Sequence, residues 1–258
     1  MTPAAIFLCA KTPVMAEPWA AAGIECWCVD IQHSIRKSLQ VGKINFVWGD
    51  ARSWRPPEGL NILFVAAFPP CTHTAVSGAR DFETKGGNML RDALETFEAC
   101  RMVAAWSGAP YCVEQPVGVL ASLPHIGKPD YYFDPCDYGD PWTKKTCIWS
   151  GNGFRMPEKH RVEPTDGSKM HLMTPGDDRA DRRAETPRGF ANAAFWANAP
   201  LYVQRWHPDA PCAIRPCERI EGARTCDTCG HFTQAGEKPW CAKRELNLDA
   251  IPVEVVAA

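Results

Sequence analysis

Short apolar runs of strand length recur six times in the first 150 residues, and four of them lead into an acid or a thiol. They are "AAIFLCA" (Ala4–Ala10), "IECWCVD" (Ile24–Asp30), "INFVWGD" (Ile44–Asp50), "NILFVAAF" (Asn61–Phe68), "YCVEQP" (Tyr111–Pro116) and "KKTCIWS" (Lys144–Ser150). Helix-like stretches separate them. "VMAEPWAAAG" (Val14–Gly23) carries Pro18 near its first turn and closes on a glycine. "NMLRDALETFEACRMVAAWSG" (Asn88–Gly108) sets Leu90, Leu94, Phe97 and Ala104 at helical spacing, with Arg101 the one polar exception and Asn88 the predicted N-cap. Apolar strands alternating with helices predict an α/β fold with a mostly parallel sheet covered on both faces. Ligands in such folds bind beyond the carboxyl ends of the strands. Asp30, Asp50, Cys71 and Glu114 stand at those ends. Any one acid there serves as a helix cap about as often as it serves a ligand, so the set of four carries the argument.

The thiol has an unusual setting. In "FVAAFPPCTHTAVSGAR" (Phe64–Arg80) a buried-looking strand stops at Pro69 and Pro70, and Cys71 follows directly. Two prolines stiffen the backbone where that side chain projects, which suits a presented thiol better than a packed one. The plain alternative is a small inert hydrophobe.

The chain has 258 residues, enough for one α/β domain and a small appendage. Its start lacks a basic segment followed by a long apolar one, and no apolar run is long enough to cross a bilayer. The expectation is a soluble, cytoplasmic protein. The 13 cysteines therefore read as chemistry and metal binding, not as a disulfide framework. A net charge of −2 leaves no global footprint for nucleic acid, although a local basic groove is compatible with it.

Residues 151–187 are irregular, with Arg155, Lys159, Arg161, Lys169, Arg179, Arg182 and Arg183 interleaved with acids. They read equally as a solvated connector or as an insert that contacts nucleic acid. "RGFANAAFWANAP" (Arg188–Pro200) reads as a returning helix. In the tail, Cys226 and Cys229 form a Cys-x-x-Cys pair flanked by Cys217 and Cys241, with Cys212 and His231 as substitutes. That spacing lets thiolates converge on one tetrahedral ion, and four protein ligands make it a structural zinc. A tail too short to bury a core needs such a staple. The alternative is a set of unligated reduced thiols. The tail's Arg219, Arg224, Lys238, Lys243 and Arg244 are either phosphate contacts or solvated surface.

Taken in order, four segments resemble motifs of the DNA cytosine-5 methyltransferase family: "PPC" (Pro69–Cys71), "VEQP" (Val113–Pro116), "YGDPWTKKT" (Tyr138–Thr146) and "GFANAA" (Gly189–Ala194). The resemblance covers most of Ala4–Pro200 and implies a Rossmann-like S-adenosylmethionine-dependent methyltransferase fold. Residues 1–150 and 186–200 would form the catalytic domain, 151–185 a reduced target-recognition insert, and 201–258 the cysteine-rich zinc-binding tail. By the same resemblance Cys71 is the thiolate that adds to carbon 6 of a flipped cytosine, and Glu114 holds the N3 and amino edge. Lys144 or Lys145 would stabilise the activated loop or bind a phosphate. Asp30 would take the donor's ribose hydroxyls and Asp50 its adenine amino group. Pro69 and Asn192 would complete the donor pocket. DNA is the implied partner.

The chain also departs from the family. No glycine stands between Met1 and Ala22, where the family has a glycine-rich turn. Gln115 replaces an asparagine, and lysines stand near Tyr138 in place of arginines, which are not equivalent as phosphate forks. About 37 residues of insert supply few side chains for base edges, so short or relaxed sequence specificity is expected. The minimal size is what a phage or mobile element would carry. Two rival readings remain: an enzyme with the same cysteine chemistry acting on a free cytosine nucleotide or transferring another group, and a non-catalytic DNA-binding module on the same fold.

Overall fold

The computed structural model describes residues 1–75, 87–168 and 185–210, and the backbone of three short strands beyond them. Contacts divide the chain into two compact units, Met1–Ala20 with Ile24–Ala199, and Ala21–Gly23 with Pro200–Ala258.

The larger unit is built on one eight-stranded sheet. Its strands are β1 (Thr2–Leu8), β2 (Glu25–Asp30), β3 (Leu39–Val41), β4 (Ile44–Trp48), β5 (Leu60–Ala67), β6 (Tyr111–Pro116), β7 (Tyr131–Phe133) and β8 (Thr146–Gly151). The order is β3-β4-β2-β1-β5-β6-β8-β7. The central run β4-β2-β1-β5-β6 is parallel, while β3, β7 and β8 each pair antiparallel to a neighbour. This mixed, mostly parallel sheet is compatible with a Rossmann-like fold. The first five sequence-predicted strands are the parallel ones. The sixth, β8, runs backwards, because an apolar run has no direction of its own and the connection through β7 sets it. β3 and β7 are only three residues long, too short to show a period. β3 is exposed throughout and reaches β4 through a tight turn at Gly42, whose φ of +56° favours glycine.

Helices cover both faces. On one, α2 (Gly87–Trp106) lays Ala93, Phe97, Cys100, Val103 and Ala104 against Ile6, Leu8, Val65, Ala67 and Val113. This buried stripe is rotated from the predicted one. Leu90 and Leu94 are only half-buried, and Arg101 lies at the stripe's edge against the Phe97 ring and Glu98. Small residues at 93, 100 and 104 let the helix axis approach the sheet, so they occupy the centre of the stripe. The helix starts at Gly87, which places Asn88 inside its first turn.

On the other face, Trp19 of the short helix α1 (Glu17–Ala21) stacks on Phe64 at 4.8 Å and meets Phe195 edge-on at 5.2 Å. Phe195 belongs to α3 (Arg188–Asn198), whose Phe190 stacks on Phe133 at 4.2 Å. Successive residues of β1 and β5 thus feed opposite layers, as a strand's period of two requires. Among the described residues no helix is long and apolar enough to cross a membrane.

In the smaller unit, α4 (Leu201–Gln204) buries Val203. β9 (Phe232–Ala235), β10 (Lys238–Cys241) and β11 (Leu246–Asn247) form an antiparallel sheet with β10 central.

Candidate active site

Chain order reverses about β1: β2 and β4 lie on one side, β5 and β6 on the other. The carboxyl ends of β1 and β5 therefore flank the switch point where such folds take ligands. β1 ends at Leu8, and Cys9 directly after it adopts φ +52°. A non-glycine residue there costs roughly 1–2 kcal/mol, so the surrounding structure holds it in place. This is where the family resemblance calls for a glycine turn. The chain keeps a left-handed backbone at that point without the glycine.

Asp30 closes β2 and is buried, with Oδ1 accepting the Gln32 backbone N–H at 2.7 Å. Asp50 follows β4 and holds Arg52 in a fork: Nε donates at 2.9 and 3.0 Å, and Nη2 at 2.6 Å. Arg52 also contacts Asp92 of α2. The Arg52 hydrogen bonds hold the Asp50 carboxyl below the usual carboxylate range, against the opposing effect of burial. Arg52 did not stand out in the sequence, where it is one arginine among many.

The loop after β5 is clamped. Pro69 is buried and Pro70 exposed, and the Cys71 carbonyl accepts the backbone N–H groups of Thr74 and Ala75 at 3.1 and 3.0 Å. Gln115 on β6 is completely buried and bonds this loop at two points. Its Nε2 donates to the Pro69 carbonyl, and its Oε1 accepts the Thr74 hydroxyl at 2.8 Å. A second tie joins the Val119 N–H to the Thr74 carbonyl at 2.9 Å, beside a bridge between Ala75 and Gly118. A Cβ on Gly118 would stand 1.9 Å from the Thr74 oxygen, so only glycine permits this approach. The segment carrying Cys71 and the strand end carrying Glu114 are thus one hydrogen-bonded assembly. Sequence reasoning noted Gln115 only as a departure and passed over Gly118; the packing of "EQPVG" against "PPCTHT" assigns both.

Glu114 and Gln115 are consecutive on β6, so they point to opposite faces of the sheet. Glu114 is buried, and Lys144 Nζ approaches its Oε1 at 3.6 Å with its own side chain only 9% exposed. Lys145 turns the other way. It is 58% exposed, lies 3.9 Å from Asp134 and sits over the Tyr132 ring. Lys144 thus pairs with Glu114, and Lys145 with Asp134.

Among the described residues no cysteine is in a disulfide, and only Cys9 and Cys71 are more than marginally accessible. Burial pushes Cys28 up to about 12 and Cys147 up to about 11, and it pushes Cys112 up further, so these three stay protonated at neutral pH. Reagents and substrates can reach just two of the sheet's thiols.

The later motifs pack as one block. The Asp140 carboxylate accepts the Gly189 N–H at 3.1 Å. A Cβ on Gly189 would meet the Tyr138 carbonyl oxygen at 2.0 Å. Arg188 pairs with Glu17 of α1. Asn192 is exposed on α3, away from that helix's buried face. The described part of the insert runs along 134–143: His160 and Val162 donate backbone N–H groups to Asp137 and Cys136 carbonyls at 2.8 Å. Lys159 and Arg161 both bind the buried Asp137 carboxylate, at 2.9 and 2.5 Å. Two cations of the basic stretch therefore have an internal partner.

Lys169, Arg179, Arg182 and Arg183 lie outside the described residues, as do Cys217, Cys226 and Cys229. Cys241 ends β10, known by its backbone alone. Among the described residues no cluster of three or more histidine, cysteine or acidic side chains is placed to hold a metal. No protein-family model matches the chain, and no curated protein matches its sequence.

Proposed function

We propose that this chain is a DNA cytosine-5 methyltransferase that works through a covalent adduct at Cys71. The observation that carries the reading is the Gln115 clamp. It fixes an accessible cysteine, set behind two prolines, onto the strand that also presents a buried Glu114 backed by Lys144. A thiolate is the nucleophile such chemistry needs, and a carboxyl with a buried cation beside it is suited to grip a polar base edge. Cys71 adds to carbon 6 of an extruded cytosine while Glu114 holds N3 and the amino group, which makes carbon 5 electron-rich. S-adenosylmethionine, when bound, supplies the electrophilic methyl group for carbon 5. Loss of the carbon 5 proton then expels the Cys71 thiolate.

The donor end suits that ligand in kind. Cys9 makes the left-handed turn after β1, Asp30 is buried at the end of β2 with one oxygen bonded locally, and Asp50 stands beyond β4. Each Asp50 oxygen already accepts two hydrogen bonds from Arg52, so the donor's amino group would have to displace part of that fork. The tail's structural zinc rests on the Cys226–Cys229 spacing, and metal analysis of the purified protein tests it.

The trap is DNA containing 5-fluorocytosine, where fluorine blocks the last step. The expected result is a denaturant-stable complex that needs S-adenosylmethionine and is absent in Cys71→Ser. A chain that binds DNA tightly and forms no complex would fit the non-catalytic module instead. The engagement of Lys159 and Arg161 by Asp137 gives the nucleotide rival specific support, because it commits two cations of the insert to an internal carboxylate. Methyl transfer to free cytidine nucleotides, with none to duplex or single-stranded DNA, would establish that rival.

A further inference from the structure

We propose that Cys9 and Cys100 form a reversible disulfide that ties the turn after β1 to helix α2 and shuts the donor end of the sheet. The donor half of this statement rests on the methyltransferase reading; the disulfide itself does not.

The sulfurs are already neighbours. Cys9 Sγ lies 3.8 Å from Cys100 Sγ, although 91 residues separate them in the chain. A disulfide needs about 2.05 Å, so the two atoms must close by less than about 2 Å. Cys100 is buried at the centre of the α2 stripe, in contact with β1, while Cys9 is half-exposed at the strand end. An oxidant therefore meets Cys9 first and finds Cys100 behind it as the resolving thiol.

The backbone at Cys9 supplies the second observation. It is one of two non-glycine residues described with positive φ, and it sits at the topological switch point. The turn is also linked to the neighbouring strand end. The Ala10 N–H bonds the Val29 carbonyl at 3.2 Å, and His33 Nε2 lies 3.2 Å from the Ala10 carbonyl. Val29 immediately precedes Asp30. Drawing Cys9 toward α2 pulls on the strand end that presents Asp30. Asp50 is close enough for its charge to act on Cys100, so one of the two acids assigned to the donor lies near the sulfur pair.

The chemistry balances with a low-molecular-weight disulfide such as oxidised glutathione as oxidant. The Cys9 thiolate attacks one glutathione sulfur and expels a glutathione thiolate, leaving a mixed disulfide. The Cys100 sulfur attacks Cys9 and expels the second glutathione, whose departing thiolate takes up the Cys100 proton. Two protein thiols are oxidised and one glutathione disulfide is reduced to two thiols.

The test treats the full-length protein with oxidised glutathione, alkylates the remaining thiols and maps peptides by mass. The expected product joins the Cys9 and Cys100 peptides, is lighter than the reduced pair by two hydrogens, and disappears with dithiothreitol. Amide exchange across residues 9–16 slows severalfold in the oxidised form. Cys100→Ser stops at a glutathione adduct on Cys9. A wild-type chain that also stops there, or whose Cys9 and Cys100 both remain alkylatable, overturns the disulfide. A linked pair with unchanged amide exchange overturns the switch. For the donor, S-adenosylmethionine affinity should fall on the order of tenfold on oxidation and return on reduction, a coupling of ordinary size; unchanged affinity overturns that half. A reduced chain that fails to bind S-adenosylmethionine at all would sink the methyltransferase reading, and the peptide map and exchange would still decide the disulfide.

Discussion

Gln115 shows how one side chain positions another. Its amide holds two points on the loop of Cys71 and has no solvent to fall back on. Gln115→Ala leaves the Pro69 carbonyl and the Thr74 hydroxyl short of a partner, and is expected to cost about 2–4 kcal/mol. Chemical denaturation measures that loss. Adduct formation at Cys71 should fall further than the folded fraction does, because the loop loosens before the core. Glu114 and Lys144 make a complementary case. Breaking a buried ion pair from one side leaves a stranded charge, so Glu114→Gln should cost about 3 kcal/mol or more. Glu114→Gln combined with Lys144→Met should recover part of it. If the single variant is as stable as wild type by denaturation, Lys144 is not held there by that carboxylate.

At the scale of elements, two glycines decide how neighbouring segments touch. Gly118 brings the chain after β6 against the Thr74 carbonyl, where a methyl group has no room and the blocking atom is backbone. Gly118→Ala is expected to lower the thermal midpoint by several degrees, from roughly 1–3 kcal/mol of overpacking strain. Gly87, where an added Cβ meets nothing within 4 Å, is the control, and Gly87→Ala should be neutral or slightly stabilising. Equal midpoints for the two variants would show that the Thr74 approach is not tight in solution. Gly189 plays the same part where α3 meets Tyr138. The motifs around Tyr138 and Gly189 are thus a packed joint, whatever ligand they serve.

At the scale of the molecule, the insert is fastened by charge. Burial would raise the pKa of Asp137, but the Asp134 backbone N–H, Lys159 and Arg161 outweigh it and hold the carboxyl below its usual range. A carboxyl depressed in the folded state stabilises the protein above its unfolded value, about 4, and the contribution is lost as pH falls through the folded value. Wild type should therefore be more stable than Asp137→Asn at neutral pH, with the gap closing below about pH 4; thermal melts across pH 2–7 measure this. A gap that stays constant with pH would mean the ion pairs do not fasten the segment. The five parallel strands and the acids or thiol at their ends were legible in the sequence, because burial on both faces leaves continuous apolar runs and a strand end is marked where the run stops. The amino-acid order alone thus determined the α/β class, the strand ends and the accessible setting of Cys71 behind its prolines. Tertiary structure alone decided that β8 runs backwards, that Lys144 and not Lys145 faces Glu114, that Gln115 anchors the loop, and that Cys9 meets Cys100. The physical reason is one of range: periodicity and proline stiffness act within a few residues, whereas direction, pairing and side-chain partners depend on which distant segments the assembled sheet brings within bonding distance.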